Sequence, residues 1–95
     1  MIRSWKDAVT RRVYDGENPR RLSGLDADRA RSRLATLNAA RSLADLGRLN
    51  SIGLHKLKGK RRMQWAVTIN GPWRVCFRFA DGDAYDVEIV DYHKG

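Results

Sequence analysis

Apolar positions recur at helical spacing in the first half of this sequence and at alternating spacing in the second half. Trp5, Val9 and Val13 stand four residues apart, which places them on one stripe of a helix. This pattern predicts a first helix that starts near Trp5 and ends before Gly16.

A second, longer helix is predicted to end by Gly47. Ser23 or Asp26 can cap its start, because a short polar side chain accepts a hydrogen bond from a first-turn backbone N–H. One face carries Ala27, Ala30, Leu34 and Leu37. Other positions carry Arg29, Arg31, Arg33 and Arg41, which are expected to be solvated.

Alternation in the second half predicts strands. Segment 54–59 and the run Trp65, Val67 and Ile69 give the first two, and Asn70-Gly71 forms the turn that follows. The next two strands are expected to bury Trp73, Val75, Phe77 and Phe79, and then Tyr85, Val87 and Ile89. Their opposite faces carry Arg74, Cys76 and Arg78, and then Asp86, Glu88, Val90 and Tyr92.

Helical sequence followed by strand sequence indicates an α+β fold. The prediction is two N-terminal helices packed on an antiparallel sheet of about four strands. A chain of 95 residues is too short to build two cores, so we expect one domain over residues 1–95.

Positive charge is concentrated in one third of the chain. The net charge is +8, and residues 46–80 contain no Asp or Glu. The basic residues of that segment are Arg48, Lys56, Lys58, Lys60, Arg61, Arg62, Arg74 and Arg78. Clustered cations neutralise phosphates and release counterions, so a nucleic acid is the expected partner, with a merely solvated basic face as the alternative.

Cysteine content and hydropathy restrict the class of protein. Cys76 is the one cysteine, which excludes an internal disulfide and a cysteine-rich zinc site. No apolar run approaches the ~18 residues that span a bilayer, and no signal peptide is apparent. We expect a cytoplasmic protein without a membrane partner. We also expect no metal and no cofactor, because the surrounding cations would repel a divalent ion.

The predicted cationic face combines side chains suited to cutting RNA. Arg74 and Tyr92 share this face, and segment 54–59 brings His55 and Lys58 near it. Phosphodiester cleavage without metal needs a proton carrier and a stabiliser of phosphorane charge, which histidine and arginine supply. A phenol can stack an unpaired base.

Each of these residues also fits a structural role. His55 is equally an ordinary surface group, and segment 91–93 fits a frayed polar tail. Trp65 and Trp73 are interpreted as core residues and not as platforms for stacking bases. The residues alone indicate nucleic-acid binding and only permit catalysis.

The ordered motifs resemble HigB toxins, of the RelE and ParE superfamily, over nearly the whole chain. The motifs are IRSWK at 2–6, LHKLKG at 54–59, WAVTI at 65–69, WRV at 73–75, DGDAY at 81–85 and DYH at 91–93. Each motif is short, but the ordered set with its spacing is specific. Lys56 and Lys60 depart from the family pattern, which has proline and commonly an acidic residue at those positions.

The resemblance implies a RelE-like fold with a short N-terminal strand at Ile2 to Ser4. It implies a type II toxin that cuts mRNA in the ribosomal A site by metal-independent 2′-hydroxyl attack. Its partners would be mRNA, ribosomal RNA and a small helix-turn-helix antitoxin similar to HigA. The implied catalytic set is His55, Lys58, Arg74, Asp91, Tyr92 and His93. Expected contacts to RNA or the ribosome are Arg48, Lys56, Lys60, Arg61, Arg62 and Arg78.

Roles within the catalytic set follow from their chemistry. Arg74 and Lys58 would balance phosphate charge, and a histidine at 55 or 93 would carry protons. The competing hypothesis is a ParE-like toxin that blocks a protein such as gyrase, or a basic nucleic-acid-binding module. ParE-like toxins generally lack such a terminal cluster, so His55 together with DYH at 91–93 favours the nuclease.

Overall fold

The computed structural model describes residues 1–92 and places three helices before a four-stranded sheet. The helices are α1 (Ala8–Tyr14), α2 (Ala27–Ala39) and α3 (Leu43–Gly47), and short 3-10 turns span Arg20–Leu22, Asn50–Ile52 and Gly59–Arg61. The strands are β1 (His55–Lys56), β2 (Trp65–Asn70), β3 (Trp73–Ala80) and β4 (Asp83–Asp91). Within residues 1–92, no helix has the length and hydropathy needed to cross a membrane.

The sheet is an antiparallel meander in the order β1-β2-β3-β4. Gly71 and Pro72 connect β2 to β3, so Asn70 pairs with Trp73 at the predicted turn. The helices cover one face of the sheet. The core there contains Val13, Leu34 and Leu37 from the helices and Val67, Ile69, Val75, Phe77, Val87 and Ile89 from the strands. The predicted α+β arrangement is confirmed.

Helix α1 starts later than the apolar spacing predicts. Asp7 has extended backbone and accepts a first-turn N–H at 2.8 Å, so the helix begins directly after it. Trp5 instead forms a parallel bridge with Val87, and a second parallel bridge joins Ile2 to Ala84. The prediction that Trp5 is helical is wrong, because this segment pairs with β4. Where the family resemblance implies a short N-terminal strand at Ile2 to Ser4, the structure has these two isolated bridges.

The helix predicted to run to Gly47 is two helices. Asp26 caps α2 by accepting a first-turn N–H at 3.0 Å, as predicted, and Ala40 leaves the helical conformation. Ser42 then caps α3 by accepting the N–H of Asp45 at 3.2 Å. The helix is interrupted here because the Ser42 hydroxyl accepts a first-turn N–H of α3, in place of the carbonyl that would accept it in a continuous helix.

Two arginines of α2 reach the sheet. Nε of Arg33 donates to the carbonyl of Thr68 at 2.8 Å, and Nη1 of Arg29 donates to the carbonyl of Ile69 at 3.4 Å. β1 pairs only with Trp65 and Ala66, so this end of β2 extends past its partner. The expectation of a purely solvated arginine face is wrong for Arg33, which is half-buried.

A β-bulge in β4 changes which residues face the core. The register of β3 with β4 skips one residue near Asp86, whose φ is +53°. Ala84 is therefore buried, and Tyr85 lies on the other face with its ring centroid 5.4 Å from the guanidinium carbon of Arg78. Ser4 holds the bulge by accepting the backbone N–H of Asp86 at 2.8 Å. The prediction that Tyr85 shares the buried face is wrong for this reason.

Replacing Thr10 by valine should destabilise the fold. Thr10 is fully buried in α1, and its hydroxyl oxygen accepts the backbone N–H of Ile89 at 2.9 Å. Thr10→Val leaves that N–H without a partner, which should lower the free energy of unfolding by about 2 kcal/mol. Thr10→Ser keeps the acceptor and should cost less than Thr10→Val in a urea titration. Equal losses for the two variants would show that the hydrogen bond contributes nothing.

Candidate functional site

The sheet face turned away from the helices holds a small apolar cluster with polar groups around it. Leu57, Ala66 and Cys76 are buried there, and Val90 and Tyr92 pack against them. The sequence places Cys76 among the cations of β3, yet its side chain is fully buried because its neighbours on this face cover it. This second face is therefore a packed surface as well as a cationic one.

One register row crosses all four strands of this face. It consists of His55, Ala66, Cys76 and Glu88. Cross-strand partners project on the same side of a sheet, so His55 and Glu88 lie on opposite sides of the apolar cluster. At about 4.8 Å between strands, their backbones are roughly 14 Å apart.

His55 lies exposed on β1, with one ring nitrogen close to a backbone carbonyl. Its Nδ1 is 3.2 Å from the carbonyl oxygen of Gly53. A carbonyl only accepts, so this contact is a hydrogen bond when Nδ1 carries the proton, and in that neutral tautomer Nε2 keeps its lone pair. Gly53 has φ +60°, and a Cβ there would lie 2.9 Å from Oγ1 of Thr68. Gly53 thus supplies both the acceptor and the close approach of this segment to β2.

Tyr92 is fixed on the cluster at three points. Its N–H donates to the carbonyl of Pro72 at 2.9 Å, and its hydroxyl oxygen lies 3.6 Å from Sγ of Cys76. The guanidinium carbon of Arg74 lies 5.7 Å from the ring centroid. Burial, followed by the contact with Cys76, raises the pKa of Tyr92 to about 12. The phenol is therefore protonated at neutral pH and cannot serve as a base.

Arg74 uses only part of its hydrogen-bonding capacity within the protein. Nη1 donates to the carbonyls of Gly71 at 2.6 Å and Trp73 at 2.9 Å. These bonds orient the guanidinium at the β2-β3 turn. Nε and Nη2 make no hydrogen bond with a residue in the range 1–92, and their planar geometry suits the oxygens of a phosphate.

Of the six residues in the predicted catalytic set, the structure places His55, Arg74 and Tyr92 on this face. Arg74 and Tyr92 are in contact, and His55 occupies the register row of Cys76, which Tyr92 touches. Lys58 is exposed in the loop that follows β1. Asp91, the half-buried last residue of β4, lies opposite Trp73 in the register. His93 lies outside the described residues.

The predicted RNA-contacting cations differ in how they are engaged. Lys60 and Arg62 are exposed and form no ion pair within residues 1–92. Arg61 and Arg78 pair with acidic residues of β4, at 2.9 Å each. Lys56 and Arg48 have weaker engagements, the first over the Trp65 ring at 5.2 Å and the second with Asp45 at 3.5 Å. An exposed ion pair such as that of Arg48 with Asp45 restrains a side chain little.

Two features of the site escape sequence reasoning. Glu88 is placed on the correct face by alternation, but nothing in the sequence indicates that it pairs with Arg61. The pattern of side chains likewise does not indicate that the Gly53 carbonyl lies beside the His55 ring. Among the residues that the structure describes, no group of three or more His, Cys, Asp or Glu side chains could hold a metal ion.

The stability of the fold should depend on the ionisation of Tyr92. Because the folded pKa of about 12 lies above the ordinary 10.0, the folded state binds this proton more tightly. That contribution is complete below pH 10 and is lost as the pH rises towards 12. In urea titrations at a series of pH values, wild type should lose stability over this range more steeply than Tyr92→Phe. Parallel profiles would contradict the assignment.

Known proteins match this chain over nearly its whole length. Residues 3–93 match the family model for the HigB-like toxin, described as the RelE-like toxin of the type II toxin-antitoxin system HigB. The chain is also 33% identical over 93 residues to Endoribonuclease HigB of Proteus vulgaris, which covers 98% of this chain and 100% of that protein. The resemblance stated from the motifs is confirmed, and the chain belongs to the HigB-like family of RelE-like toxins of type II toxin-antitoxin systems.

Proposed function

We propose that this toxin is an endoribonuclease that cuts mRNA in the ribosomal A site. The observation that carries the proposal is the placement of His55 on the same sheet face as Arg74 and Tyr92. This face offers a proton carrier, a cation that still has donors for phosphate, and an aromatic ring. The name of the Proteus vulgaris relative, Endoribonuclease HigB, supports the same reaction.

The reaction proposed is attack of the RNA 2′-oxygen on the adjacent phosphorus. A P–O bond forms at the 2′-oxygen, and the bond to the 5′-oxygen breaks. The 2′-hydroxyl loses its proton to a base, and the departing 5′-oxygen gains one from an acid. The products are a 2′,3′-cyclic phosphate and a 5′-hydroxyl end.

The residues divide this work according to their chemistry. The Nε2 lone pair of His55 suits proton transfer, with His93 as the proposed second proton carrier. Arg74 and Lys58 balance the charge of the phosphorane. Tyr92, neutral at physiological pH, orients or stacks the substrate, and Asp91 positions a neighbouring group.

Docking to the ribosome and mRNA is proposed for the exposed cations around this face. Lys60 and Arg62, on the loop after β1, are exposed and form no ion pair within residues 1–92, so their charges are available to phosphate groups. Arg48, Lys56 and Arg78 are the other cations proposed to contact RNA or the ribosome. A small helix-turn-helix antitoxin, similar to HigA, is the proposed partner that neutralises the toxin. Because the proposed substrate of the toxin is mRNA, the cytoplasm is the proposed location of the toxin.

Arg74→Ala should abolish toxicity while leaving the fold intact. Within residues 1–92 the side chain bonds to two turn carbonyls and lies over the Tyr92 ring, outside the core between helices and sheet, so its loss should cost little stability, whereas loss of phosphate charge balance should slow cleavage by about 10²-fold. Arg74→Lys should recover only part of this, because an ammonium lacks the planar fork. The readouts are growth arrest on induction and primer extension on one transcript. Arg20→Ala, on the helical side, is the control for losing one positive charge. Full toxicity of folded Arg74→Ala would contradict the proposed role.

Cleavage should depend on translation. If the toxin acts in the ribosomal A site, mapped 5′ ends on one transcript should fall at one phase of the codons. The ends should vanish when the start codon of that transcript is removed. Cuts that are equally abundant on the untranslated transcript would contradict ribosome dependence. DNA-damage signalling without any cleavage would favour the ParE-like alternative.

A further inference from the structure

Arg61 differs from Lys60 and Arg62 because it forms two side-chain hydrogen bonds within the protein. Nη1 of Arg61 donates to Oε1 of Glu88 on β4 at 2.9 Å and to Oε1 of Gln64 at 2.8 Å. The two charged side chains are 38% and 17% exposed, so the pair is partly withdrawn from solvent. The hydrogen bond to Glu88 raises the pKa of Arg61. Charge-assisted bonds of this geometry are stronger than the exposed pairs elsewhere on this surface.

The loop that carries Arg61 has few other attachments to the sheet. β1 contributes only two residue pairs to the ladder, at His55 and Lys56. Beyond it, Leu57 is buried in the apolar cluster and its N–H donates to the Gln64 carbonyl at 3.0 Å, closing loop 57–64. Such a short ladder leaves the loop free to open locally unless another contact holds it.

The Arg61 pair crosses from this loop to the opposite edge of the sheet. Glu88 stands in the register row of His55, with the row's Ala66 and Cys76 between them. The guanidinium therefore extends over the apolar cluster, on which Tyr92 also packs. Lys58 belongs to the same loop, so the position of its ammonium depends on how that loop is held.

We propose that Arg61 and Glu88 form a clamp that holds loop 57–64 on the sheet and so positions Lys58 at the cleavage site. The proposal rests on the proposed function. It makes Arg61 a positioning residue, in place of the RNA contact that its charge suggests, because that charge is compensated by the Glu88 carboxylate at 2.9 Å in a partly buried pair. Lys60 and Arg62 of this loop keep the role of meeting RNA.

Removing the Glu88 charge should open the loop without unfolding the protein. Glu88→Gln is nearly isosteric, and its effect is read by hydrogen exchange of amides 57–64 against amides of β3. Exchange in the loop should rise about tenfold, with β3 unchanged. Arg61→Gln should do the same, and Arg62→Gln, which removes an equal charge from an exposed neighbour, should not. Wild-type exchange in both Glu88→Gln and Arg61→Gln would overturn the clamp.

Exchanging the two charges separates positioning from RNA contact. In a cell-free translation reaction programmed with one mRNA, Glu88→Gln should cleave about tenfold more slowly than wild type, as a small displacement of a catalytic group allows. The double variant Arg61→Glu with Glu88→Arg should return both loop exchange and cleavage to within about threefold of wild type. Restored exchange with cleavage still lost would show that Arg61 meets RNA itself, and would overturn the positioning role.

The two readouts also separate this proposal from the proposed function. Failure of the wild-type toxin to cleave would contradict the nuclease, and with it the placement of Lys58, while the exchange data alone would still decide whether the clamp exists. If the charge-exchanged variant does not fold, as judged by its thermal transition, Glu88→Asp is the second test. Its shortened carboxylate should give loop exchange and cleavage between those of wild type and Glu88→Gln. Cleavage and exchange by Glu88→Asp equal to those of Glu88→Gln would contradict a clamp that depends on the carboxylate.

Discussion

The pairing of β3 with β4 is the constraint on which the rest of the structure depends. Its register puts Val75 opposite Ile89 on the helical side and Cys76 opposite Glu88 on the other side. The first row builds the core, and the second builds the surface that carries the proposed chemistry. Because side chains alternate along a strand, a slip of one residue would exchange the two faces and destroy both. The fold and the site are therefore specified by the same hydrogen-bonded ladder.

The sequence predicts what depends on local spacing and fails where distant residues intervene. The β2-β3 turn, the Asp26 cap and the two faces of β3 follow from residues that are neighbours in the chain. Tyr85 is misplaced because the bulge at Asp86 is held by Ser4, a residue 82 positions away. Trp5 is misplaced because its segment pairs with β4. Neither interaction can be predicted from the local pattern of apolar residues.

The candidate site follows the same division. Alternation puts Arg74, Glu88 and Tyr92 on one face, and the family motifs add His55 and Lys58. Which partners those side chains meet could not be predicted, because contacts such as Tyr92 with Cys76 depend on how strand ends and loops fold back. The pairing of the basic residues could not be predicted either. Residues 46–80 hold no acidic residue, yet Arg61 and Arg78 are paired, because β4 brings Glu88 and Asp86 beside them.

The reaction proposed for this face is cleavage of RNA by attack of the 2′-hydroxyl, with His55 carrying a proton. The most direct measurement is the chemical identity of the ends made in a cell-free translation reaction containing the purified toxin. Attack of the 2′-hydroxyl should leave 5′-hydroxyl ends, which can be joined only by a ligase specific for them, and folded His55→Ala should not produce these ends. Ends that carry a 5′-phosphate, or undiminished cleavage by His55→Ala, would contradict the proposed reaction.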